Sequence, residues 1–275
     1  MSPMNNNRGM NPKEQFTTGD TCILVPSWDG YEDLWMPFFG CLFKYWPDCP
    51  YRVYLGSNKK AYDDPRVGRL SSDINSDYSA SLAGFLKQIP HQWVIVWLED
   101  LLLKARVNTK DLNHLIKWAQ EQKAVHVRLW TGPGSLISLA AARHPVADLP
   151  GVGLVPKKAR YRAGLTVGLW RKDTLLGLLR DGESAWDFEI AGSLRSDSIS
   201  GPIYSVIPCG DDNSMLKVVN SVRKGLWSID GVCFLQKEGL ADVTKTRRVE
   251  WRWKYEYIMR FKLPLRKILY NALHR

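Results

Sequence analysis

The chain has 275 residues, 45% of them hydrophobic, and a formal net charge of +10. That is enough to bury a sizeable core in one large α/β domain or two small ones, and no apolar run approaches the roughly 18 residues a membrane span needs. The cysteines (Cys22, Cys41, Cys49, Cys209 and Cys233) show no metal-ligand spacing and read as reduced thiols of a cytoplasmic protein.

Met1 to Asp20 is polar, rich in Asn and without the apolar core of a secretory signal, so it reads as a disordered leader. Residues 21–242 then carry the alternating strand and helix texture of a single α/β domain. Thr21–Val25 reads as a strand stopped by Pro26. Gly30 opens onto an aromatic-rich helix from Tyr31 to Tyr45, and Tyr51–Leu55 is a second strand. Leu82, Phe85, Leu86 and Ile89 fall on one face of a helix over 81–89. Trp93–Leu98 is an unbroken apolar run, the mark of a strand buried on both faces, and it meets two adjacent acids, Glu99 and Asp100. Thr109 is placed to cap a helix bearing Leu112, Leu115, Ile116 and Ala119, and Val125–Trp130 is a fourth strand. This strand–helix alternation predicts an α/β fold, a mostly parallel, Rossmann-like central sheet flanked by helices.

Past Thr131 the elements shorten. The texture predicts a strand over 161–170, helices over 173–179 and 184–194, a strand at 205–207 and a helix over 215–222. From Val243 to Arg275 there are ten Lys/Arg against Glu250 and Glu256, a net +8 that leaves only +2 for the rest of the chain. Within this basic aromatic C-terminal extension, Val249, Trp251, Trp253, Tyr255 and Tyr257 alternate with charged residues before an amphipathic stretch broken by Pro264.

Three constellations can carry chemistry. Ligands of open α/β sheets bind at the carboxyl ends of the strands. Glu99 and Asp100 stand there and suit a divalent cation, Mg²⁺ or Mn²⁺, with a diphosphate. Adjacent strand residues point to opposite faces, so one acid, Asp100 first, is expected to line the cleft. The second is Ser184-Ala185-Trp186-Asp187-Phe188-Glu189. Flanking apolar walls would raise a carboxyl toward a useful base. Ser184 with Asp187 also has the form of a capping box, which would leave Glu189 the freer base. The third is the loop Pro26, Ser27, Trp28, Asp29, whose aromatic face and acceptors suit a nucleotide base and ribose. Neither GxGxxG nor a P-loop is present. His126 and Arg128 alternate on one strand, and Lys157, Lys158, Arg160 and Arg162 form a basic run that could face a leaving diphosphate or be a solvated loop.

Taken together, Val25–Trp35, Lys44–Tyr51, Trp97–Asp100, Ser184–Glu189 and Arg223–Trp227 resemble bacterial GT-A-type glycosyltransferases of surface-polysaccharide and lipopolysaccharide clusters, over roughly residues 21–240. The resemblance implies a nucleotide-sugar donor, a glycan or lipid-linked acceptor, a short acidic motif on the metal–diphosphate (here the compact Leu98-Glu99-Asp100 instead of Asp-x-Asp) and, in inverting members, an acidic base matching Asp187 or Glu189. The tail composition suits an anionic membrane surface, which would place the enzyme peripherally on the inner face of the cell membrane. Two alternatives stand beside this reading: a non-catalytic scaffold on the same fold, and an RNA-binding protein using the tail, the latter less favoured.

Overall fold

Thr21–Pro26 (β1) is buried along its whole length and forms the axis of the molecule. The computed structural model describes residues 18–73, 75–132, 135–207 and 215–251. After β1 come Trp35–Tyr45 (α1), Arg52–Ser57 (β2), Val67–Ser71 (β3), Tyr78–Gln88 (α2), Trp93–Val96 (β4), Leu101–Leu103 (β5), Thr109–Glu121 (α3) and His126–Arg128 (β6). The second half adds Leu136–Ala141 (α4), Val152–Leu154 (β7), Gly168–Arg171 (β8) and Lys172–Leu178 (α5). Ala185–Asp187 (α6) runs through a π turn at Phe188–Gly192 into Ser193–Arg195 (α7), one continuous helical run. Ile203–Val206 (β9), Val218–Asn220 (β10), Val222–Arg223 (β11), Leu226–Trp227 (β12) and Ile229–Lys237 (α8) follow.

Eight strands form one sheet in the order β3-β2-β1-β4-β8-β6-β9-β7. Six of the eight run the same way, while β8 and β7 oppose their neighbours. The expected α/β architecture, a mostly parallel sheet flanked by helices, is therefore what the chain adopts. Alternation along β1 divides the core. Ile23 and Val25 pack with α1 and α3 on one face, and Cys22 and Leu24 pack with α2 and α5 on the other. A layer of helices on each face is what strands apolar on both sides require.

Several local expectations change. The strand over 161–170 contracts to β8, since only Gly168–Arg171 pairs with β4 and β6; ahead of it the Tyr161 carbonyl is taken by Arg128 Nη2 at 3.1 Å. Residues 215–222 hold strand β10, not a helix, since Val218 and Val219 pair antiparallel with Leu103 and Leu102. Asn108, not Thr109, caps α3. β3 had no forecast. The leader reading extends one turn too far: residues 18–20 are helical and Asp20 accepts the Gln92 N–H at 3.0 Å, while 1–17 lie outside the described residues. Trp253, Tyr255, Tyr257 and the amphipathic stretch after them also lie outside. The described start of that extension is pinned to the body. Val249 bridges Trp227, and Glu250 takes Arg223 Nη1 at 3.0 Å.

A second clasp lies nearby. Arg247 meets Asp33 through two hydrogen bonds of 2.6 and 2.8 Å and stacks over Tyr31, 4.2 Å from the ring centre. Burial alone would raise the Asp33 carboxyl, but the bonds from Arg247 and Thr246 outweigh it and hold it below the usual range. An acid whose folded pKa is depressed adds stability above its unfolded value and loses that addition as pH falls through the folded one. Asp33→Asn is expected to cost about 1–2 kcal/mol at pH 7. Urea unfolding along a pH series should show the gap to wild type closing below about pH 4.

Candidate active site

The chain turns from β1 to β2 on one side and reaches β4 on the other, so the crevice at the carboxyl ends of β1 and β4 is the switch point of the sheet. A cavity of about 380 Å³ lies there. Pro26, Ser27 and Trp28 enter from the end of β1, Asn58 from the end of β2, and Leu98, Glu99 and Asp100 from beyond β4. Tyr78, Leu82 and Phe85 of α2 form the opposite wall, with Ala185 at the start of α6.

The acids come together differently from the alternation rule. β4 ends at Val96, and Glu99-Asp100 form a tight turn closed by Leu101 N–H to Leu98 O at 3.1 Å. Freed from the strand, both acids line the cavity, not one. Glu99 is buried and accepts the Ser27 hydroxyl at 3.0 Å, while Ser27 Oγ in turn accepts the Trp35 indole N–H at 2.9 Å. Asp100 Oδ1 is shielded from water with no hydrogen-bond partner among the described residues. Loss of water, then repulsion from Asp100, pushes Glu99 up to about 8. Desolvation likewise pushes Asp100 up to about 7, against the attraction of Arg223 and Arg247. Two hard-oxygen donors side by side, one of them unsatisfied, fit a Mg²⁺ or Mn²⁺ ion that takes its other ligands from water and phosphate. Among the described residues no group of three or more His, Cys, Asp or Glu makes a metal cage. Asp100 and Glu99 are thus the residues that would hold such an ion.

Trp28 is 54% exposed and lies flat over Gly30, where a Cβ would come within 2.4 Å of the indole. It offers an open aromatic face at the cavity mouth. Asp29 is occupied: its carboxylate accepts the backbone N–H groups of Asn58, Lys59 and Lys60 at 3.1–3.2 Å, which hold it below the usual range despite desolvation. It holds the turn that presents Asn58.

The distant segment is brought in by one residue. Asp77 caps α2, accepting Ala80 N–H at 2.9 Å, and its second oxygen accepts Gly182 N–H at 2.7 Å. Ser79 N–H to Glu183 O at 3.2 Å adds a second tie. Ala185 and Tyr78 therefore share the wall. The Tyr78 hydroxyl, buried and unpartnered among the described residues, lies in the field of Glu99, Glu189 and Asp100, and its ionisation is pushed well up, first by burial. Ala185 thus shares the cavity wall with Asp100, while Trp186, Asp187, Phe188 and Glu189 are not among the lining residues.

Within that run the two acids differ. Asp187 completes the capping box with Ser184, is exposed, and is lowered by the Ser184 hydroxyl and N–H. The expected apolar walls around it are absent, because Phe188 points into the core while Trp186 faces solvent. Glu189 accepts Leu165 N–H at 2.8 Å. The basic run does not reach the cavity: Lys157, Lys158 and Arg160 are exposed, and Arg162 is buried on Ser196 O at 2.6 Å. His126 and Arg128 face the interior, with His126 stacked on Trp170 at 3.7 Å. Sequence reasoning missed Tyr78, Asn58 and Arg247. Asp77 as a helix cap was the one readable pointer to Tyr78.

No protein-family model matches this sequence, and no curated protein does. Solved structures do resemble it. S. aureus TarS 1–349 in complex with UDP-GlcNAc is 11% identical over 91% of this chain and 79% of that one, with a TM-score of 0.45. The mannosyltransferase PcManGT from Pyrobaculum calidifontis, in complex with GDP-Man and Mn²⁺, is 11% identical over 92% and 73%, with a TM-score of 0.47. The bifunctional IspDF from Campylobacter jejuni is 13% identical over 71% and 51%, with a TM-score of 0.40. Against TarS 1–349 without ligand, the match spans 60% of that chain's length. These are likenesses in the course of the chain.

A group whose folded pKa is raised costs stability as pH climbs from its unfolded value toward the folded one. Removing that ionisation relieves the cost. With a chelator present, Asp100→Asn is expected to raise Tm by about 3 °C or more at pH 8 and by clearly less at pH 5, since the cost builds between the ordinary carboxyl value and about 7. Thermal melts at the two pH values decide it.

Proposed function

We propose that this protein is a glycosyltransferase that moves a sugar from a nucleoside-diphosphate donor to a glycan or lipid-linked acceptor, by inverting chemistry, in surface-polysaccharide or lipopolysaccharide synthesis. The observation that carries the reading is the buried pair Glu99 and Asp100, one oxygen unsatisfied, in the same switch-point cavity as the open face of Trp28. The order of motifs along the chain supports it. The nucleoside base stacks on Trp28, beside Pro26, with Asn58 held in reach by Asp29. Ser27 fixes the Glu99 carboxylate through the Trp35–Ser27–Glu99 chain of hydrogen bonds. When bound at Asp100 and Glu99, a divalent cation offsets the charge that develops on the departing diphosphate.

The chain's own residues do the rest. Arg223 and Arg247, both within electrostatic reach of Asp100, add positive field around the leaving group. The Tyr78 hydroxyl, a donor without a partner among the described residues, is placed to bond a donor oxygen. Glu189 takes the proton from the acceptor hydroxyl as that oxygen attacks the anomeric carbon, through an oxocarbenium-like state. Asp187, tied to Ser184, is the second candidate base and serves first as the helix cap. The basic aromatic extension from Val243 seats the enzyme on the inner, anionic face of the cell membrane.

A panel of uridine, guanosine and thymidine diphosphate sugars, with and without Mn²⁺, tests this directly. One nucleotide class is expected to raise Tm and undergo slow donor hydrolysis; silence across the panel would sink the reading. Glu189→Gln is expected to lower transfer about 100-fold or more while the donor-induced Tm shift persists. Equal transfer by that variant removes Glu189 from the mechanism.

A further inference from the structure

The helical run 185–195 carries two straight stripes. Phe188 and Gly192, with Ser196 just past the run, are buried. Trp186, Ile190 and Leu194 face outward, 65%, 58% and 71% exposed. On an α-helix, residues four apart drift by about 40° per step. The wider π turn at Phe188–Gly192 rotates the other way over the same spacing, so both stripes stay in line. A soluble helix normally turns polar residues outward. This one turns out a tryptophan and two aliphatic side chains beside the mouth of the cavity, whose wall includes Ala185.

The surroundings decide what covers the stripe. Loop 157–165 is laced to this run: Lys158 N–H bonds Asp197 at 2.8 Å, Arg162 bonds Ser196, Ala163 N–H bonds Ser193 Oγ at 3.0 Å and Leu165 N–H bonds Glu189 at 2.8 Å. The loop sets Lys157, Lys158 and Arg160 in solvent while its backbone is tied to the same helical run. The acids in and flanking the run are bonded within the protein, Glu183 to Arg195, Asp187 to Ser184, Glu189 to Leu165 and Asp197 to Lys158. Three side chains over about 12 Å of helix expose far less than the roughly 800 Å² per partner of a stable protein interface. They match the footprint of an amphipathic helix at a lipid interface, where Trp settles at headgroup level and neighbouring cations meet anionic lipids.

We propose that residues 185–195 form a docking helix that inserts Trp186, Ile190 and Leu194 into an anionic bilayer surface, with Lys157, Lys158 and Arg160 on its headgroups. The contact is separate from the C-terminal extension and independent of the donor chemistry. Its use, turning the cavity toward a lipid-borne acceptor, rests on the transferase reading.

The test is flotation of the full chain with vesicles of phosphatidylcholine alone and of phosphatidylcholine mixed with phosphatidylglycerol, at low and high salt. Wild type is expected to float with the anionic vesicles only. The triple variant Trp186→Ser/Ile190→Ser/Leu194→Ser is expected to bind them about tenfold more weakly, most clearly at high salt, where the tail's charge is screened. Lys157→Glu/Lys158→Glu/Arg160→Glu is expected to weaken binding at low salt, leaving the share the tail supplies. Circular dichroism checks folding; should the triple variant misfold, Leu194→Ser alone, at the most exposed position, is read instead. Unchanged flotation of the apolar variant overturns the proposal, because the tail would then account for all binding. So does wild type that floats with neither vesicle, or a concentration-dependent dimer that the apolar variant abolishes. The Tm response to nucleotide sugars is read in parallel. Flotation without that response sinks the transferase reading and leaves the docking helix; the response with unaltered variant flotation sinks the docking helix alone.

Discussion

Two carboxylates held side by side out of water are the constraint around which this molecule is arranged. Desolvation and mutual repulsion push Glu99 and Asp100 up, and the protein answers with partial measures: one hydroxyl from Ser27, and two arginines at a distance. Arg247 is already spent on Asp33 and Arg223 on Glu250, so neither neutralises the pair at contact. A fold selected for stability alone would replace such a pair with apolar side chains. Keeping it places an unsatisfied acidic site where the sheet's topology opens a crevice, which on the proposed reading is the electrostatic preparation for a cation and a diphosphate.

The rest of the site follows from how the crevice is walled. Asp77 uses one oxygen to start α2 and the other to hold Gly182, so a single side chain fixes residues 105 positions apart in sequence. That tie puts the Tyr78 hydroxyl among three acids and carries the 185–195 run to the rim. The same run turns its apolar stripe outward. Its first residue lines the cavity, its third residue caps it through Ser184, and its outer face is the one proposed to meet a membrane.

Much of this was legible from residue patterns, for reasons that can be named. β1, β4, α2 and α3 declare themselves through local periodicity, which needs no knowledge of partners. The Ser184–Asp187 capping box is a four-residue motif and was found as one. Elements set by distant pairing were not legible. β10 is a strand only because β5 lies beside it, and β8 takes its antiparallel place between β4 and β6 through pairings distant in sequence. The pairing rule that gave one acid to the cleft failed because Trp97 and Leu98 leave the strand early, a boundary shift of two residues that changes where both side chains point. Tyr78 carries no motif; its importance lies in the three acids around it, drawn from two other parts of the chain.

The central claim is that Glu99 and Asp100 hold a divalent cation together with a nucleoside diphosphate. Electron paramagnetic resonance of Mn²⁺ reads this without any assay of transfer. On adding the protein with a nucleoside diphosphate, the account predicts loss of the free-ion signal to one Mn²⁺ per chain, and return of that signal in Asp100→Asn. A free-ion signal that stays at its nucleotide-only level when wild-type protein is added, for each of the uridine, guanosine and thymidine diphosphates, would contradict it.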